Sequence, residues 1–428
     1  MMNIIRLLVL TTILVTAGAS MLSAQELPSE GGSERALVTI DDLIAEAIRQ
    51  NASLETHRLR YQAAKAKIPQ SSALPDAKLG FGFFAVPVET RLGPQQATVS
   101  FSQTFPWFGT LGAQEAAAEA FARRHAQEYA DSRNRLVVDI RAAWYALHVN
   151  ERNSTLLREH QKLLAALRAL ALARYEAGGI PFSHLLRLDM ELESLEAQAG
   201  YAADSRGPLL EKLSRIVNRD LTFEELLLPE SLEVPDAAPG GDTELQPAES
   251  NPRLRMFTEE RAYWDAQEQA ARRQGYPAFT LGLTYTAIGP REDLNPADNG
   301  RDAVLPQVGL SFPLFGSRYS AMEEEAQLRG LAAQAARDDV RRLLSTEFAE
   351  AQRDLTDARR RYTLSLRLRE LSRSTYEVML QEYTTGAATL EEVLAVERDI
   401  LRHALDEVNA RADIARATDK IMYLTAQE

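Results

Sequence analysis

The residues able to carry chemistry are few and poorly arranged for it. The histidines His57, His125, His148, His160, His184 and His403 never fall at the spacing of metal ligands, and no His-Glu-x-x-His occurs. Cysteine is absent, so thiolate ligands, disulfides and a lipid-bearing N-terminal cysteine are excluded. Gly80-Phe81-Gly82 belongs to an alternating strand segment and not to a phosphate loop. Glu323-Glu324-Glu325 reads as a solvated first turn of helix, where the macrodipole favours acids. Met190, Met322 and Met379 are scattered, which fits packing better than a metal relay. No enzyme, cofactor site or metal site is expected. What this chain does must lie in its surfaces.

Composition narrows those surfaces. Hydrophobic residues make up 45% and charged residues 25% of 428, as in a folded protein. The formal charge of −13 leaves no basic stripe to neutralise phosphates, so nucleic acid is not an expected partner. Arg6 followed by the apolar run Leu7–Ala19 has the form of a secretory signal, too short to span a bilayer as a helix. Residues 1–24 are read as that signal, with cleavage after Ala24 or, alternatively, after Ala19.

Four segments alternate with period two. In Thr98–Phe105, Val99, Phe101 and Phe105 point one way, and Thr98, Ser100, Ser102 and Thr104 the other. Lys78–Val86 puts Leu79, Phe81, Phe83 and Ala85 opposite two glycines. The loop Pro87–Pro94 would join these two as a hairpin. Ala278–Ile288 and Val304–Phe312 form a second pair across a loop rich in Asp, Asn, Pro and Gly. Each is close to the roughly 9–11 residues of a tilted membrane strand.

The remainder reads as helix. Thr39 and Asp42 form a capping box for a helix running to Ile68, where Pro69 would stop it. Thr110–Glu176 holds no proline and would extend about 100 Å. Val137/Trp144 and Ile140/Leu147 recur at sevens among many alanines, a pattern of close helix packing. Gly178 and Gly179 suit a left-handed C-cap, and Pro181 would open a return helix to Val217. Residues 220–250, with their prolines, glycines and acids, read as an exposed linker or small irregular subdomain. A second set follows: a helix over 252–274, a long one over 318–383 turning at Gly386, and a return over 388–424. Each return helix plus its short partner, placed end to end, nearly matches one long leg.

The chain is thus written twice. Phe105-Pro106-Trp107-Phe108-Gly109 is answered by Phe312-Pro313-Leu314-Phe315-Gly316, and Tyr175-Glu176-Ala177-Gly178 by Tyr383-Thr384-Thr385-Gly386. Two strand–Phe-Pro-x-Phe-Gly–long-helix units resemble the TolC-type outer-membrane efflux duct family over nearly all of the mature chain. The expected domains are 25–219 and 251–428, one repeat each, joined by 220–250. The expected fold is mostly α with membrane β: long helical hairpins in a periplasmic α-barrel, plus four transmembrane strands.

Four strands cannot close a barrel, since the smallest bacterial barrels need eight. Open edges in lipid would strand backbone groups at several kcal/mol each. The chain must therefore oligomerise, and the resemblance implies a homotrimer sharing one barrel in outer-membrane lipid. It also implies a passive exit duct for metal ions or small drugs, docked through a periplasmic adaptor to an inner-membrane pump. The Pro-Trp-Phe-Gly form leans toward metal efflux, by resemblance only. A duct for type I protein secretion, a coiled-coil adaptor without a barrel, and a porin-like channel are the alternatives. Pro106 and Pro313 are expected at the strand–helix transitions, and Phe105, Trp107, Phe108, Phe312 and Phe315 in an interfacial girdle. In the resembled family acidic residues ring the periplasmic tip just after the second Tyr-x-x-Gly turn. Here that place is held by Glu391 and Glu392, although Thr389 and Glu392 also read as a capping box.

Overall fold

The structure, a computed structural model, describes residues 37–234, 249–294 and 296–426. The signal expected over 1–24 and the proline-rich stretch 235–248 lie outside the described residues. In chain order the elements are α1 (Ile40–Gln50), α2 (Ala52–Ser71), β1 (Lys78–Thr90), β2 (Gly93–Phe105), α3 (Thr110–Glu176) and α4 (Ser183–Val217). Then follow α5 (Pro252–Gln274), β3 (Ala278–Ile288), β4 (Ala303–Ser311), α6 (Gly316–Thr385) and α7 (Leu390–Thr425).

The two long legs dominate. α3 has 67 residues and α6 has 70, each about 100 Å long. Nearest the sheet, α2, α3, α5 and α6 lie side by side; beyond it, α4, α3, α7 and α6 do. The layer is one helix thick, so its cores are seams. Leu164, Leu167, Leu188 and Leu394 fill the distal seam, Ile140, Trp144 and Leu213 a middle one, and Leu344, Leu355 and Ile414 a third. At about 1.5–3 kcal/mol for each buried large aliphatic side chain, these seams outweigh the small differences in helix propensity.

The short helices do stack on the return helices, and two asparagines hold the joints. Asn51 Oδ1 accepts from the Leu54 N–H at 2.9 Å, while its Nδ2 donates to the Ile216 carbonyl at the end of α4 at 2.7 Å. Asn251 repeats the device: Oδ1 accepts from the Arg253 N–H, and Nδ2 donates to the Leu424 carbonyl at the end of α7 at 3.1 Å. One side chain thus caps the start of one helix and satisfies the frayed end of the other.

Several expectations need correction. The segment 40–68 is not one helix: it breaks at Asn51, because that residue takes an extended conformation to cap α2. Pro69 does not stop the helix but lies inside α2, in its last turn, where only one backbone bond is forfeited. Pro87–Pro94 is not a loop. β1 runs on to Thr90 through a register shift between Phe83 and Val88, and the turn is only Arg91-Leu92. α4 starts at Ser183, two residues after Pro181, and carries Pro208 within it. The described part of 220–250 is no exposed linker. Leu221, Leu226 and Leu232 are buried, Val38 and Leu226 form a parallel bridge, and a short turn of helix spans Phe223–Glu225. Its leucines give this strap a core to join, which a reading of its prolines and acids overlooks.

The repeats are also tied to each other. Arg141 Nη1 and the Tyr145 hydroxyl, both on α3, donate to buried Asp419 on α7 at 2.7 and 2.9 Å. Burial first, then the charge of Asp419, push the Tyr145 hydroxyl well above its ordinary range, so it stays a donor.

Candidate conduit surfaces

The four strands make one antiparallel sheet in the order β1-β2-β3-β4. Register places like with like. Leu79 faces Phe101, Phe101 faces Leu283, and Leu283 faces Pro306; one row along, Phe81, Val99, Tyr285 and Val304 align. On the opposite face Gly80, Ser100, Thr284 and Leu305 align, as do Gly82, Thr98, Thr286 and Ala303. Apolar and mostly hydroxyl-or-small faces therefore run across both hairpins. The apolar face is uncovered: Phe81 is 69% exposed, Phe83 85%, Phe101 50% and Val308 76%. A patch of that size on a folded protein marks an interaction surface. The edges β1 and β4 have no strand beside them among the described residues. Prolines stand in both, Pro87 in β1 and Pro306 in β4, the kind of strand where a missing N–H is tolerated.

At the corners the chain turns from strand to helix. Pro106 follows Phe105, the last residue of β2, and Pro313 stands between the end of β4 at Ser311 and the start of α6 at Gly316. Gly109 caps α3 at φ 79°, and a Cβ there would collide with the Arg273 guanidinium, whose Nη1 donates to the Phe108 carbonyl at 3.0 Å. Trp107 stacks on Tyr276 at 5.4 Å and on Phe279 at 5.6 Å between centroids, and meets Phe108 edge-on. Since Phe279 belongs to the apolar face, this aromatic group extends that face to the helix junction. Phe108, Phe312 and Phe315 are exposed there, at 76%, 62% and 81%. Phe105 pairs with Phe279 in the register and is half-buried. Tyr276 was not singled out in the sequence, because it precedes the strand and repeats no motif.

Both hairpin tips end the same way. Gly178 (φ 74°) and Gly386 (φ 85°) take the left-handed conformation after their long helices. The Gly179 N–H donates to the Arg174 carbonyl, and the Ala387 N–H to that of Glu382, each at 2.8 Å. The tips also grip each other. Arg174 Nη1 donates to the Tyr383 carbonyl at 2.5 Å, and its guanidinium lies 4.7 Å from the centre of the Tyr383 ring. Glu392 closes a capping box, accepting from the Thr389 N–H and Oγ1, each at 2.8 Å. Those two bonds, the backbone one first, hold its carboxyl below the ordinary glutamate range. Glu391 instead meets Arg187 of α4 at 2.7 Å, with Arg398 at 3.9 Å. Nothing in the sequence joins Arg187 to Glu391, which meet only because α4 and α7 flank α3 at the tip.

No helix among the described residues is long and apolar enough to cross a bilayer, which says nothing of the sheet. Among the described residues no three His, Asp or Glu side chains converge as metal ligands.

Residues 246–427, the second repeat, match the family described as "Outer membrane efflux protein". The second repeat is therefore similar to the outer membrane efflux proteins. Members of this efflux family are channels rather than enzymes. No curated protein matches the sequence. Among solved structures, a membrane protein from Pseudomonas aeruginosa is 18% identical with a TM-score of 0.74, over 90% of this chain and 92% of that one. The outer membrane protein VceC of Vibrio cholerae is 18% identical with a TM-score of 0.71, covering 90% and 96%. The CmeC outer membrane channel of Campylobacter jejuni is 15% identical with a TM-score of 0.70, covering 91% and 85%. At these identities the likeness establishes the fold alone.

Proposed function

We propose that this chain is a member of the outer-membrane efflux family and the outer-membrane exit duct of a tripartite efflux pump, acting as a homotrimer. The exposed apolar face shared by four strands, bounded by two open edges, carries the reading. A sheet with one greasy face and two unpaired edges is stable in lipid only when closed on copies of itself. Three chains supply twelve strands, the apolar face meets lipid, and the hydroxyl and glycine face lines the lumen. The aromatic group around Trp107 then sits at the inner lipid boundary as a girdle. The helical layer continues the barrel into the periplasm as a tube, to be met by an adaptor and an inner-membrane pump.

Solute passes through such a duct without chemistry. Its tip is the narrow end, and the Arg187–Glu391 and Arg174–Tyr383 contacts hold the two hairpins of one chain together there. Glu391 is the residue we assign to an acidic tip ring, while Glu392 serves the helix. The cargo we assign is metal ions or small drugs. The test is a deletion strain challenged with copper, silver, zinc, cobalt and a drug panel, complemented with the wild-type chain. Sensitivity of the deletion strain that the chain reverses supports the duct; unchanged sensitivity on deletion together with loss of a secreted polypeptide would move the reading to type I secretion. Heat-resistant oligomers in an outer-membrane fraction separate the duct from a soluble adaptor.

A further inference from the structure

Under the strap at residues 229–232, a cavity of about 200 Å³ opens between α3, α6 and α7. Arg152, Arg369 and Arg411 line it against the two carboxylates of Glu230 and Glu407. Arg369 and Arg411 both pair with Glu407, and Arg411 also reaches the Leu232 carbonyl of the strap at 3.4 Å. Arg152 forms no ion pair among the described residues. One positive charge is therefore left over and faces the cavity.

His148 supplies the second observation. It is only 4% exposed, and its Nε2 donates to the Pro229 carbonyl at 3.0 Å. A carbonyl can only accept, so Nε2 carries the proton and Nδ1 presents a lone pair in the neutral ring. That Nδ1 is buried with no hydrogen-bond partner, as is the Arg411 Nε–H. Desolvation, above all, holds His148 below its ordinary pKa, which keeps the ring neutral at pH 7. Buried polar atoms are rarely left unsatisfied, and here an unpartnered acceptor and an unpartnered cationic donor belong to two residues that line one cavity.

We propose that this cavity binds a small oxyanion of the hydrogen-phosphate class, whose oxygens meet Arg152 and Arg411 and whose O–H donates to His148 Nδ1. Sulfate at neutral pH carries the oxygens but no proton to donate, and so satisfies only half of the site. At about 200 Å³ the space falls below the roughly 300 Å³ where pockets for drug-sized ligands begin. The source is the free ion and not a lipid headgroup. His148 stands 38 residues beyond the start of α3 at Thr110, about 57 Å along the helix from the sheet. The anion bridges the strap to the tube and stabilises the strap where α3 and α7 meet.

Isothermal titration calorimetry on the full chain in detergent at pH 7 tests this with inorganic phosphate, sulfate and glycerol 3-phosphate at matched ionic strength. Phosphate should bind saturably at one site per chain, and sulfate about tenfold or more weakly, the cost of one lost charge-assisted bond. Arg152→Gln breaks no contact within the fold and should weaken phosphate about tenfold, while Arg301→Gln on the β3–β4 loop should leave it unchanged. Absence of saturable phosphate binding, equal affinity for sulfate, or an unaltered Arg152→Gln would overturn the site. Glycerol 3-phosphate binding as tightly as phosphate would overturn the free-ion assignment.

Discussion

At the scale of single residues, the two faces of the sheet make opposite demands. Phe101 lies on the exposed apolar face and Ser100 on the other, one position apart in β2. Phe101→Arg, or Leu310→Arg in β4, should cost about 2–4 kcal/mol near a bilayer midplane and abolish oligomers, whereas Ser100→Arg should be tolerated. Oligomer content on gels of the outer-membrane fraction reads the difference, and equal tolerance at both positions would refute the face assignment. Two asparagines present a different residue-scale test. Asn251 is 0% exposed and serves two helix ends at once, so Asn251→Ala should cost about 2 kcal/mol, a cap plus a satisfied carbonyl. Denaturation midpoints of Asn251→Ala and of Asn51→Ala should fall together; no change in either would show the joints to be held by packing alone.

At the scale of elements, the tip hairpins separate electrostatics from capping. Glu391 pairs across to α4, and Glu392 folds back on Thr389. The pair at Arg187 is half-exposed on both sides, so its contribution to stability is small and its main consequence is position. Glu391→Ala should therefore alter single-channel conductance and periplasmic-side block by divalent cations while leaving the melting temperature nearly unchanged. Glu392→Ala should do the reverse. The carboxyl of Glu392 is depressed in the folded state, so its cap is fully present above the ordinary value of 4.5 and is lost as the pH falls through the lower, folded value. Hydrogen exchange at the first turn of α7 should accelerate on acidification below that range in the wild type, and show no such step in Glu392→Ala.

At the scale of the whole molecule, the one-helix-thick layer leaves both of its flanks uncovered, as the proposed oligomer requires. Besides the sheet face, Leu364, Leu371 and Val378 on α6 are exposed at spacings of seven, at 55%, 56% and 52%. On the far side of the layer, Met190 and Tyr201 on α4 are 71% and 76% exposed. In a closed ring these flanks would meet, one from each neighbour, continuing along the tube the closure begun by β1 and β4. Leu371→Glu should then destabilise the oligomer while leaving the circular dichroism of the helices unchanged. Analytical ultracentrifugation in detergent checks it, and an intact trimer carrying that charge would place α6 away from the seam.

Much of this was legible from residues alone, because period-two alternation, proline-free alanine-rich runs and glycine turns act locally. The repeat of Phe-Pro-x-Phe-Gly located both strand–helix corners, and the lengths of the runs predicted short helices stacked on return helices. Local patterns could not say where Asn51 would break a helix, since its Nδ2 partner at Ile216 lies 165 residues away. Nor could they find the strap's core, where Leu226 bridges to Val38, or the pairing of Arg187 with Glu391. The cavity beneath the strap draws His148, Arg369 and Arg411 from three helices with no motif among them. Sequence determined the elements and their faces, which follow from backbone geometry and side-chain alternation. The tertiary structure alone decided which charged and polar groups meet, because those contacts depend on how long rods slide and stack against one another.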